Sequence, residues 1–274
     1  MSELHMEIHG DGPPLVLLHG WALNLRVFDP VVRPLAAHFT VHTIDLPGHG
    51  RSPGPLLPPA ALDDAAPGNA ALAAIADRLL QRLPQRFYLC GWSLGGQLAM
   101  VMAARWPQRV ASMTLVATTP RFTATHDWPA GARSEVLQDL ALKLQSDPQR
   151  ALRSMLELQV RGSVHATEVL ATLQRALLEH GTADSEALDS GLQLLGSVDL
   201  RGTVSAIHVA TLVIAGQYDR VTHPEAGRWL AERLPHGRYH EFARCGHAPF
   251  LSHPEQFAEL LLLLQAASAN GVAA

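Results

Sequence analysis

The chain has 274 residues, a length that suits one large α/β domain or a core domain carrying an insertion. Hydrophobic residues make up 47% and charged residues 17%, a globular composition that excludes a disordered chain, and the 21 Gly and 19 Pro follow no collagen-like period. With 21 Lys and Arg against 25 Asp and Glu the formal charge is −4, so no basic excess points to nucleic acid, and Cys90 and Cys245 are too few for a disulfide framework, though not for one bridge.

The acidic N-terminal stretch from Met1 to Glu7 lacks the apolar run of a signal peptide. Apolar runs elsewhere, such as Leu260 to Leu264, fall far short of the roughly 18 residues a membrane span needs. The expectation is a cytoplasmic protein with neither membrane nor nucleic acid as partner. No repeat at solenoid or propeller spacing is present.

Taken in chain order, Leu4 to Ile8 and Leu15 to Leu18 read as strands flanking Gly10-Asp11-Gly12, a hairpin signal. Val41 to Ile44 reads as a buried strand entering the glycine-rich turn Asp45 to Gly50. The proline- and alanine-rich stretch from Gly54 to Asn69 reads as a loop, and Ala70 to Leu83 has helical spacing. Strand Phe87 to Cys90, helix Leu94 to Trp106 and strand Met113 to Ala117 follow. After a gap come strand Leu212 to Ala215, helix Glu225 to Leu234, strand Tyr239 to Phe242 and helix Pro254 to Ala267. Strands alternating with helices of this length predict a mostly parallel sheet with helices on both faces.

The interval from about Pro120 to Ala206 breaks the alternation. It offers only helical stretches, at Ser134 to Gln145, Pro148 to Val160, Thr167 to His180 and Ser185 to Leu195. The expected division is a core at 1–119 and 207–274 with a helical lid at 120–206, placed over the carboxyl edge of the sheet, where open α/β folds bind ligands.

Gly91-Trp92-Ser93-Leu94-Gly95 fits G-x-S-x-G directly after a strand and directly before a helix, the setting of a nucleophile elbow. A free hydroxyl is a poor nucleophile, so Ser93 needs a base. In the fold class that carries this elbow, the chain order is Ser, then Asp or Glu, then His. Asp219 and His247 supply that order, each on a loop leaving a strand's carboxyl end, whereas His223, His236, His240 and His253 lack such placement. The expected catalytic set is Ser93 as nucleophile, His247 as base and Asp219 as the carboxylate that orients it. The oxyanion hole would combine the backbone N–H groups of Leu94 and Trp21, the latter following His19-Gly20 at the end of an early strand. No metal-ligand spacing and no phosphate loop occurs, so neither metal nor organic cofactor is expected.

The blocks His19 to Asn24, Asp45 to Ser52, Gly91 to Gly96 and His247 to Pro254 together resemble the α/β-hydrolase fold. Among its families they most resemble the pimeloyl-[acyl-carrier protein] methyl ester esterases of biotin synthesis, over roughly residues 13–118 and 208–265. The resemblance implies a monomeric serine carboxylesterase acting on an ester borne by acyl-carrier protein. It also implies that Asp147 to Gln159 is a substrate-contacting lid helix. Trp21, Ser93, Leu94 and His247 would then bind substrate, Met155, Leu156, Glu157, Leu158 and Gln159 would line the acyl channel, and Arg150, Arg153 and Arg161 would face the acidic carrier. The Gly54 to Asn69 loop and the stretch Thr167 to Leu195 depart from the family's pattern. A short-chain carboxylesterase, a carbon–carbon bond hydrolase or a ligand-binding receptor on the same scaffold are the competing readings.

Overall fold

The computed structural model describes residues 4–57 and 68–269, without the side chains of residues 179 and 180. Seven strands form one sheet in the order β1-β3-β2-β4-β5-β6-β7: β1 (Met6–His9), β2 (Pro14–Leu18), β3 (Thr40–Ile44), β4 (Phe87–Trp92), β5 (Val110–Val116), β6 (Thr211–Gly216) and β7 (Gly237–Phe242). Every pairing is parallel except β1 with β3.

Side chains alternate across a strand, so apolar runs serve a sheet covered on both faces. Val16 and Leu18 of β2 pack with Leu89, Met113 and Val213 on one face. Leu15 and Leu17 pack with Cys90, Leu212 and Ile214 on the other. The first face is covered by α2 (Gly68–Leu80), α3 (Leu94–Arg105) and α8 (Pro224–Arg233), through residues such as Leu72, Leu98 and Leu230. The second is covered by α1 (Asp29–Ala36) and α10 (Pro254–Ala269), through Val31, Leu35 and Leu261. Each fully buried Leu or Val of this kind stabilises the fold by roughly 1.5–3 kcal/mol in transfer free energy.

The hairpin expected around Gly10-Asp11-Gly12 does not form, because β3 lies between β1 and β2. The glycines serve close passage instead. Gly10 has φ +85°, and a Cβ there would sit 2.3 Å from the Phe39 carbonyl oxygen. Helix α1 is absent from the sequence reading, since Pro30 and Pro34 disguise it. Pro30 occupies the first turn, where its missing N–H costs nothing, and Pro34 forfeits one helical bond while Val31 and Leu35 are buried. Of the Gly54 to Asn69 loop, residues 58–67 lie outside the described residues, and Gly68 and Asn69 already belong to α2.

Between β5 and β6 the chain forms α4 (Ser134–Ser146), α5 (Pro148–Val160), α6 (Ala166–His180) and α7 (Ser185–Ser197), within two residues of the expected ends. The two ends of this insertion are tied together. Arg121 donates to Asp199 at 2.7 Å and Arg201 donates to it at 2.8 Å, and these bonds, Arg201's first, hold the Asp199 carboxyl down to about 2. A short α9 (Pro249–Ser252) precedes α10. No helix of the described residues is long and apolar enough to cross a membrane.

Candidate active site

Ser93 sits between β4 and α3 with φ 55° and ψ −117°, a conformation that costs a non-glycine residue about 1–3 kcal/mol. Its surroundings hold it there. The Ser93 N–H donates to the Val116 carbonyl at 3.0 Å, and Thr118 Oγ1 donates to the Ser93 carbonyl at 2.7 Å. The flanking glycines are required by space: a Cβ on Gly91 would lie 2.2 Å from the Gly95 carbonyl oxygen, and one on Gly95 would lie 2.3 Å from that of Leu18. Leu94 begins α3, so its N–H is among the helix's unpaired first-turn donors, at the positive end of the helix dipole.

Asp219 and His247 meet from the ends of β6 and β7. His247 Nδ1 donates to Asp219 Oδ2 at 2.8 Å, with the two side chains 2% and 0% exposed. Asp219 also accepts the Val221 N–H at 2.8 Å, the Thr222 N–H at 3.0 Å and the Thr222 hydroxyl at 2.9 Å, so its lone pairs are satisfied without water. The His247 carbonyl accepts Trp92 Nε1–H at 2.7 Å. Its loop is further fastened to the insertion: the His247 N–H donates to the Gln159 carbonyl at 2.8 Å, and the Gly246 N–H to Ser163 Oγ at 2.7 Å.

Trp21 is buried against the insertion, its indole N–H donating to the Leu188 carbonyl of α7 at 3.1 Å. Beneath it, His19 is fully buried. Its Nε2 accepts the Leu46 N–H at 3.0 Å while Nδ1–H donates to the Gly20 carbonyl at 2.8 Å, which fixes a neutral tautomer. His49 lies beside it, with ring centroids 5.5 Å apart. Burial holds both rings down to about 4, whereas an unfolded histidine titrates near 6.5. Between these values the unfolded chain binds more protons. The stability these neutral rings contribute is therefore complete above about pH 6.5 and is lost as pH falls toward 4, on the order of 3 kcal/mol per ring. The urea midpoint should drop steeply across that window, and less steeply in His49→Gln; a midpoint that stays level contradicts this.

Ser93, His247 and Trp21 face one cavity of about 310 Å³. Met155, Leu158 and Gln159 of α5 line it; Leu156 and Glu157 do not. Positions three and four apart share a helix face, so 155, 158 and 159 point one way, while Leu156 is buried among other side chains and Glu157 is exposed. Arg150, Arg153 and Arg161 are exposed. Sequence reasoning missed the cavity's other walls, among them Phe122, Leu192 and Leu195, and the charged Arg133 and Arg220. Arg220, next to Asp219 at a strand's end, carried the one usable signal. His223 also lines the cavity, but it is His247 that bonds Asp219.

Both cysteines are free and buried. Burial pushes the Cys245 thiol up to about 12 and raises that of Cys90 as well, so neither is a competing thiolate nucleophile. Among the described residues no group of three His, Cys, Asp or Glu side chains could hold a metal ion. The arrangement as a whole can activate a hydroxyl and neutralise a developing oxyanion, which is the chemistry of acyl transfer.

The strained serine at a strand-to-helix turn and the His–Asp pair at two later strand ends are features of a hydrolase, and residues 13–254 match the alpha/beta hydrolase fold family, to which this chain belongs. Within it, the chain is 40% identical to the pimeloyl-[acyl-carrier protein] methyl ester esterase of Nitrosomonas europaea, over 94% of this chain and 97% of that protein. It is 37% identical to the enzyme of the same name from Klebsiella pneumoniae, over 97% and 98%. Among solved structures it resembles an esterase from Exiguobacterium antarcticum, with a TM-score of 0.83, 23% identity and 96% of each chain covered. It also resembles the enol-lactonase from Burkholderia xenovorans, with a TM-score of 0.78, 24% identity and 97% of each covered. At such identities these two structures speak for the fold alone.

Proposed function

We propose that this chain is a serine carboxylesterase that removes the methyl ester from a pimeloyl chain carried on acyl-carrier protein, a step of biotin synthesis, and that it works as a cytoplasmic monomer. The observation that carries the reading is His247, bonded to the buried Asp219 behind it and lining the same cavity as the strained Ser93. The relatives named above support the choice of substrate.

In this reading Ser93 Oγ attacks the ester carbonyl while His247 Nε2, the ring nitrogen not engaged by Asp219, takes the hydroxyl proton. Asp219 holds the imidazole in that tautomer and stabilises the imidazolium. The oxyanion that develops is held by the N–H groups of Leu94 and Trp21, each worth about 3 kcal/mol in the transition state. His247 returns the proton to the departing methoxide, and methanol leaves an acyl-enzyme. Water, deprotonated by His247, then attacks that acyl group, and Ser93 is regenerated as the free acid departs. No metal or organic cofactor enters.

Residues 120–206 act as a lid over the core at 1–119 and 207–274, with Met155, Leu158 and Gln159 against the acyl chain. Arg150, Arg153 and Arg161 present positive charge to an acidic carrier. Charges at a rim act mainly on association rate and fade as salt screens them. The double reversal Arg150→Glu, Arg153→Glu should therefore lower kcat/KM for the carrier-linked ester about tenfold at low salt, and much less at high salt or on a short free ester. Equal loss on both substrates would mean a disturbed lid, and no loss would remove the docking role.

Turnover of pimeloyl-carrier methyl ester, compared with a free short-chain methyl ester, tests the substrate assignment. A large preference for the carrier-linked ester is expected. Hydrolysis of the short ester with the carrier-linked one left intact would make the protein a general carboxylesterase instead.

A further inference from the structure

Two guanidinium groups line the cavity that holds Ser93 and His247: Arg133, at the turn into α4, and Arg220, next to Asp219 beyond β6. Neither side chain has an ion-pair or hydrogen-bond partner among the described residues. Some arginines of the chain are paired, Arg26 with Glu7, Arg121 and Arg201 with Asp199, and Arg228 with Glu241; what sets Arg133 and Arg220 apart from the other unpaired ones is that they line this cavity. Among the described residues no Asp or Glu lines the cavity, and its lining includes the apolar Val136, Leu137 and Leu140.

Both arginines are exposed to solvent as well as lining the cavity, so they draw an anion toward it through a field that salt partly screens. The guanidinium fork can donate two parallel N–H bonds to a planar carboxylate or to two oxygens of a tetrahedral phosphate. Location decides between the two sources. Both arginines belong to the same cavity of about 310 Å³ as Ser93, so an anion meeting them is separated from the reacting carbonyl by no more than the span of that cavity. That suits the far end of an acyl chain better than the phosphate of a long carrier arm.

We propose that Arg133 and Arg220 form an anion subsite for a carboxylate at the distal end of the acyl chain, so that the enzyme also hydrolyses free monomethyl esters of medium-chain dicarboxylic acids without any carrier. The inference rests on Ser93 being the nucleophile of the proposed esterase. The reaction consumes water: the ester C–O bond breaks by way of the Ser93 acyl-enzyme, and methanol and the dicarboxylic acid are released, the new carboxyl giving up its proton to solvent. The distal carboxylate stays bound to the two arginines and takes no part in the bond changes.

The test uses the full chain and three substrates: monomethyl pimelate, neutral dimethyl pimelate, and the methyl ester of pimeloyl-phosphopantetheine. The quantity read is the ratio of kcat/KM for the monomethyl to the dimethyl ester. The wild-type ratio should fall as salt is raised, and the double variant Arg133→Gln, Arg220→Gln should lower it about tenfold, with part retained in the Lys variants that keep charge but lose the fork. The inhibition constant of pimelate should rise in parallel. A ratio and an inhibition constant that do not change in the double variant overturn the proposal, and so does a loss confined to the phosphopantetheine ester, which would give the arginines to a phosphate. Dimethyl pimelate hydrolysis that disappears in Ser93→Ala checks the nucleophile separately, so failure of the subsite and failure of the esterase reading give different results.

Discussion

Alanine at Ser93 or at His247 is expected to lower kcat for ester hydrolysis about a millionfold, and alanine at both to lower it scarcely further. The two act as a unit: without the base the hydroxyl is not activated, and without the hydroxyl the base has no proton to take. Asp219→Asn should cost about ten-thousandfold, because an amide at this position can stabilise the wrong imidazole tautomer. Asparagine is the informative substitution, since Asp219→Ala would also strand the Val221 N–H, the Thr222 N–H and the Thr222 hydroxyl that the carboxylate now accepts. Thermal melting of each variant separates lost chemistry from lost folding. Full activity in His247→Ala, with loss in His223→Ala, would overturn the assignment of the base.

The second large effect is on stability. Gly91→Ala places a methyl group 2.2 Å from the Gly95 carbonyl oxygen, and the nearest atoms are backbone that cannot swing aside. The variant should lose roughly 3 kcal/mol or more of stability, and the elbow that presents Ser93 should shift with it. Gly196→Ala is the contrast. That glycine lies exposed within α7 with nothing nearer than 3.7 Å to the added methyl, so the gain in helix propensity should stabilise the protein by about 0.5–1 kcal/mol. Urea unfolding of the two variants measures both signs, and a Gly91→Ala protein as stable as wild type would contradict the packing argument.

The central strands were legible because a sheet covered on both faces leaves strands as uninterrupted apolar runs, and the placement of Ser93, Asp219 and His247 at strand ends was legible because each follows such a run. The partner of β1 was not. A four-residue strand at the sheet edge carries no mark of which neighbour it will join, and Gly10 looked like a turn residue although its conformation serves contact with Phe39. Helix α1 was hidden because Pro30 and Pro34 read as breakers unless one knows that Val31 and Leu35 will be buried. In the insertion the helix ends were legible, while their facing was only partly so. Helical spacing alone would have separated Met155, Leu158 and Gln159 from Leu156 and Glu157. Arg133 and Arg220 lie far apart in sequence and share a cavity only through tertiary packing, which no local pattern encodes.

Ser93 is the expected nucleophile, and covalent trapping tests this most directly. A fluorophosphonate reacts with an activated serine by losing fluoride, leaving the phosphonyl group on the attacking oxygen. Peptide mass spectrometry of the labelled enzyme should find one adduct, on Ser93, formed in step with the loss of esterase activity and absent when His247 is replaced by alanine. An adduct on any other residue, or full inactivation with Ser93 unmodified, would contradict the account.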